Sequence, residues 1–136
     1  MPPAKQWTKA ARAARPERPS ETEKQAIIAA CEAFIDDVLK PRFLPRIWPT
    51  EWNYMIDIHG AWAAGRYRFL QRWRSGMAHN RGEAFDAPFA RIDRIGRDRF
   101  DIYWMRHTGK WWRLHVGVTR PEALHLLETD EVLHPL

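Results

Sequence analysis

From Trp52 onward the apolar residues fall on every second position, whereas on either side of that stretch they fall on every third or fourth. That change of period divides the chain. Between Ser20 and Lys40, Ile27, Cys31, Phe34, Ile35, Val38 and Leu39 recur at helical spacing. Ser20-Glu21-Thr22-Glu23 is a capping box, serine followed three residues later by glutamate, and predicts the helix start. Pro41 predicts its end near Lys40, because proline lacks the N–H that a helix interior needs. The segment through Pro45 and on to Ile47-Trp48-Pro49 reads as extended.

Tyr54, Ile56 and Ile58 then alternate with Asn53, Met55, Asp57 and His59. Next, Tyr67, Phe69 and Trp73 alternate with Arg66, Arg68, Arg72 and Arg74. Pro88–Ile95 is a less regular third strand, Phe100, Ile102 and Trp104 mark a fourth, and Trp112, Leu114 and Val116 a fifth. Turn-prone residues separate them at Gly60–Gly65, Ser75–Glu83, Gly96–Asp98 and Thr108-Gly109. Thr119-Arg120-Pro121-Glu122 is a second capping box, and Ala123, Leu124 and Leu127 give the following helix an apolar stripe. Helix, five strands and helix in that order predict an α+β domain: an N-terminal helix, a five-stranded antiparallel meander and a C-terminal helix.

Length and charge sharpen this outline. With 136 residues, 45% hydrophobic and 29% charged, the chain is long enough for one core and contains no apolar run that could span a membrane. The single Cys31 excludes an internal disulfide and reads as a small buried thiol, which suits a reducing cytoplasm. Residues 1–19 hold five basic side chains against Glu17 alone and one large apolar residue, Trp7. They predict a disordered basic tail ahead of a single domain over 20–136. Residues 58–82 contain five arginines and no acid, and residues 121–136 contain four acids and no lysine or arginine, so the domain is polarised. Of the eight tryptophans, Trp52, Trp62, Trp73, Trp104 and Trp112 are expected in the core, and Trp48 and Trp111 at the surface.

The run Ala87-Pro88-Phe89-Ala90-Arg91, the strand Ile102-Tyr103-Trp104-Met105-Arg106, Lys110-Trp111 after the turn and a terminal helix leading to Glu128-Thr129-Asp130 form a further pattern. It resembles the bacterial domain-of-unknown-function 3024 family over about residues 21–130. Its most specific element is Trp104-Met105-Arg106 followed by Lys110-Trp111. The resemblance implies a small bacterial cytosolic domain and brings no activity, ligand or mechanism with it. The basic tail, Trp112 and the ending Val132–Leu136 depart from the family pattern.

The chemistry-bearing residues point to binding. Arg66, Arg68, Arg72 and Arg74 fall on one face of their strand, a stripe that could track phosphates with Trp111 or Tyr103 as stacking platforms. Pairing with Asp57, Glu83 or Asp101 would turn the same stripe into an ordinary solvated face. Arg106, His107, Lys110, Trp111 and Arg113 gather at one end of the sheet, and exposed tryptophan beside arginine also suits a protein partner. No two histidines have a recognised metal-ligand spacing, and no nucleophile or phosphate-loop motif is present, so no catalytic residue, metal or cofactor is expected. A hydrolase built on Asp57, His59 and His115 would require those three to converge. The sequence therefore predicts a non-enzymatic cytoplasmic domain that binds nucleic acid or another polyanion through its arginine face and tail. The alternative is a protein-interaction module with an acidic partner or a second copy, and the oligomeric state stays open between monomer and homodimer. No membrane partner is expected.

Overall fold

The computed structural model describes residues 17–136, so most of the expected basic tail lies outside the described residues. Helix α1 (Glu21–Phe34) begins where the capping box places it, with Ser20 Oγ accepting the Glu23 N–H at 3.1 Å. It does not stop at Lys40. A π-helical turn over Ile35–Leu39 leads into a short α2 (Lys40–Phe43), and the chain passes through Pro41 without leaving the helical path. In a regular helix the Pro41 ring would strike the Asp37 carbonyl. The wider turn, in which the Lys40 N–H reaches back to the Ile35 carbonyl, relieves that clash.

Five strands follow: β1 (Asn53–Ala63), β2 (Arg66–Ser75), β3 (Ala84–Gly96), β4 (Arg99–Met105) and β5 (Trp111–Val118). They pair antiparallel in sequence order, as a meander. β1 runs through the expected Gly60–Gly65 turn, and the reversal is made by Ala64 and Gly65 alone, both with positive φ. The twist of such a turn matches that of the strands it joins. The β4–β5 reversal is a His107-Thr108-Gly109 loop, closed by the Gly109 N–H on the Arg106 carbonyl at 2.8 Å. Helix α3 (Arg120–Thr129), capped by Thr119, and a 3₁₀ turn over Glu131–Leu133 complete the chain. No helix among the described residues is long and apolar enough to cross a membrane.

The helices lie on one face of the sheet: α1 packs on β1, α3 on β4, and the two touch. Beneath them Ile58, Tyr67, Phe69, Ile92, Phe100 and Ile102 are buried against Ile27, Cys31, Phe34, Leu39 and Leu127. Phe69 meets Phe34 edge-on at 6.4 Å. Burial pushes the Cys31 thiol up to about 12, leaving a neutral core side chain. No tryptophan belongs to this fully buried set. Trp62 and Trp104 are half-buried and pack against the core, Trp73 is half-buried outside it, and Trp52 and Trp112 are 64% and 51% exposed. Trp52, Trp73 and Trp112 lie at or beside strand ends, away from that core.

Tyr67 is buried by its ring, but its hydroxyl has no hydrogen-bond partner among the described residues. A buried polar group left unpaired costs stability. Tyr67→Phe is therefore expected to raise stability by about 1 kcal/mol in chemical denaturation. A loss of stability would show that the hydroxyl is bonded.

Candidate polyanion-binding face

Strand register decides which side chains share the sheet face that no described helix covers. On β2, Tyr67, Phe69 and Gln71 point into the core, so Arg66, Arg68, Arg72 and Arg74 point away from it, as their spacing predicts. On β1 a bulge at Ile56 shifts the phase. Met55 packs toward the core, and Tyr54 lies opposite Arg74 on the open face. The simple alternation of Tyr54, Ile56 and Ile58 therefore does not hold, because the extra residue of a bulge exchanges the two faces.

Two arginines of the stripe are neutralised across the ladder. Arg72 holds Asp86 with its Nε at 2.8 Å and Nη2 at 3.2 Å, and His59 Nε2 lies 3.1 Å from the same carboxylate. Arg66 approaches Asp93 at 3.4 Å. The sequence offers Asp57, Glu83 and Asp101 for this role, but antiparallel pairing sets Arg72 opposite Asp86 and Arg66 opposite Asp93. Arg68 and Arg74 make no ion pair with any described residue, and residues 1–16 contain no aspartate or glutamate.

Arg68 belongs to a row that crosses four strands: Arg68 faces Arg91, Arg91 faces Tyr103, and Tyr103 faces Arg113. Arg91 is 7% exposed, with its guanidinium 4.1 Å from the Tyr103 ring centroid and 4.9 Å from that of Trp111. Its Nε and Nη2 also hold Asp93 at 2.7 and 3.0 Å. One buried cation thus fixes two aromatic rings and one carboxylate. Trp111 is half-buried in this stack, more covered than the sequence suggests. Arg113 is the outer member of the row, 3.7 Å from Asp101. Arg91 ends the run Ala87–Arg91 without being marked there as a binding residue, yet it alternates with the apolar Ala90 and Ile92, a period that signals its face.

The other expected site residues separate. Arg106 turns to the helix side, where its guanidinium lies 4.8 Å from the Trp112 ring and 5.9 Å from that of Trp104. His107 and Lys110 are exposed in the loop at the tip of the hairpin. A single surface made of Trp111, Arg113, Arg106 and His107 is therefore not formed, because successive residues of a strand point to opposite faces. The triad of Asp57, His59 and His115 fails too. β1 and β5 are opposite edges of the sheet, four strand spacings or about 19 Å apart. His115 faces the other layer, with its Nε2 2.9 Å from Asp130. Among the described residues no three of histidine, cysteine, aspartate and glutamate gather as metal ligands would.

A family model described as a domain of unknown function (DUF3024) matches residues 19–134, nearly the whole chain. The chain belongs to the DUF3024 family. The match opens at the cap of α1 and closes just after the 3₁₀ turn, so a DUF3024 domain takes in the helix layer and all five strands. It extends slightly beyond the span of about 21–130 suggested by sequence resemblance. Comparison with curated proteins and with solved structures found no match.

Within this DUF3024 domain the Asp86 carboxyl is held below its ordinary value. Hydrogen bonds from Arg72 and then His59 hold it down from 3.8 to about 2, against the opposing pull of burial. A depressed carboxyl contributes stability above its ordinary value and loses it as pH falls toward the folded one. Asp86→Asn is expected to flatten the pH dependence of Tm between 3.8 and about 2. The difference at neutral pH should stay below about 1 kcal/mol, because the pair is solvent-exposed.

Proposed function

We propose that this domain is a non-enzymatic binding module for nucleic acid or a similar polyanion, working in the cytoplasm through its open sheet face and aided by the basic tail. The observation that carries the reading is the row Arg68, Arg91, Tyr103 and Arg113, with Trp111 stacked alongside, on a face no described helix covers. Arg68 and Arg74 supply charge that no described carboxylate neutralises, and Arg113 adds a third, loosely paired cation. Tyr103 and Trp111 supply ring surface against which unpaired bases stack. Near Arg74 a shallow hollow of about 360 Å³, bordered by Arg72, Phe85 and Asp86, gives the face relief. Single-stranded nucleic acid suits this mixture better than duplex, because its bases are free to stack.

The test is fluorescence anisotropy of labelled single-stranded RNA, single-stranded DNA and duplex DNA against the full chain over a salt series. Tight binding of single strands with a steep salt slope is expected. No binding of any of the three at low salt would end the proposal. A protein partner is the second reading, and a specific group favours it: Ile47, Trp48 and Trp52 are 48%, 66% and 64% exposed in the segment leading to β1. Binding through such an apolar surface would be nearly indifferent to salt.

A further inference from the structure

A cleft of about 890 Å³ opens on the other layer of the molecule, between the first turn of α1, the β3–β4 turn and the start of α3. Its accessible apolar lining is Ala26 and Pro121, with Ile27 and Phe100 buried beneath. One wall is electrically closed, since Arg94 grips Glu23 at 2.6 and 3.0 Å and also donates to the Glu17 carbonyl. The remaining cations are different. Arg18, Arg97 and Arg120 line the cleft from three separate segments, and none makes an ion pair with a described residue. The lining carboxylates besides Glu23 are Glu17 and Asp98, and Asp98 is engaged in accepting the Arg120 backbone N–H at 3.0 Å.

We infer that this cleft binds a small organic phosphate with an apolar or aromatic body, at a site separate from the open sheet face. Three arginines that line one cleft from three separate segments suit a tetrahedral group with several oxygens, whereas a carboxylate fills a single fork. The volume exceeds what inorganic phosphate needs and falls in the range of sites for organic ligands. The apolar surface at Ala26 and Pro121 has no use for a bare ion, but it can contact a base or a hydrocarbon body. Ser20 and Thr119 already accept N–H groups at the starts of α1 and α3, so the arginines carry this inference rather than the helix ends. The chain's own first sixteen residues have the wrong charge to compete, with four basic side chains and no acid.

ADP is the probe, titrated calorimetrically into the full chain, with backbone amide shifts reporting the location. Saturable binding below about 1 mM is expected, with the largest shifts at Gly96 and Arg97. Arg97→Glu with Arg120→Glu should weaken binding at least tenfold, roughly 1.4 kcal/mol. Arg68→Glu with Arg74→Glu should bind ADP as the unaltered chain does, which separates this site from the sheet face. Should the first pair fail to fold, Arg97→Gln alone, in an exposed turn, is expected to weaken binding about threefold. Three results would overturn the inference: no saturation by ADP, equal loss in the sheet-face pair, or inorganic phosphate binding as tightly as ADP.

Discussion

Replacing Gly60 with alanine is expected to destabilise the domain by about 3 kcal/mol. A Cβ there would lie 2.3 Å from Cε1, 2.4 Å from the hydroxyl and 2.5 Å from Cζ of Tyr67. Gly60 faces Phe69 across the ladder, and the Tyr67 ring from the adjoining pair lies over the glycine. The ring has nowhere to go, because Tyr67 is buried and packed edge-on against Phe69 at 5.0 Å. The effect should therefore depend on the partner. In a Tyr67→Ala background, which itself opens a cavity, adding Gly60→Ala should cost far less, with a coupling of about 2 kcal/mol. Urea denaturation of the four proteins in that cycle measures it. Equal costs in both backgrounds would place the strain somewhere other than this contact.

The second large effect is on binding. Arg68→Glu with Arg74→Glu should weaken single-strand binding roughly 100-fold at low salt and reduce the magnitude of the salt slope by about 2. These two side chains have no described counter-ion, so their charge is available to a phosphate. Arg66 and Arg72 are the informative controls. Asp93 and Asp86 already hold them, so Arg66→Gln and Arg72→Gln should each matter less than Arg68→Gln. If all three neutralisations are equivalent, the ion pairs do not shape the site. If none matters, the open face is not where the polyanion sits.

Much of this architecture is legible in the chain because its signals are local. The two capping boxes mark both helix starts, since the bonds they imply span three residues. Period-two patterning locates the strands and sets Arg66, Arg68, Arg72 and Arg74 on a common face. What stays hidden depends on register or on neighbours distant in sequence. The bulge at Ile56 carries no compositional mark and the one at Phe89 shows only as Pro88 inside a strand, yet each exchanges the faces of its strand. Pro41 looks like a stop because the π turn that accommodates it has no signature. Trp52, Trp73 and Trp112 mislead for a related reason: hydrophobicity says they avoid water, but not that they stand at strand ends away from the core. The ion pairs that silence half of the arginine stripe follow from the β2–β3 register, which no single strand reveals.

Strand order matching sequence order also has a kinetic consequence. All four ladders close across loops of between two and eight residues, so each hairpin can zip without waiting for a distant segment. The helix layer cannot do this. Glu23 of α1 meets Arg94 only across 71 positions, and α3 follows the whole sheet. Pulse-labelled hydrogen exchange should accordingly find amides of β1–β4 protected before those of α3. During synthesis the sheet would then stand for a time with Phe100 and Ile102 incompletely covered. In that interval the nascent chain would be at its stickiest, and it would end once α3 has cleared the ribosome and docked.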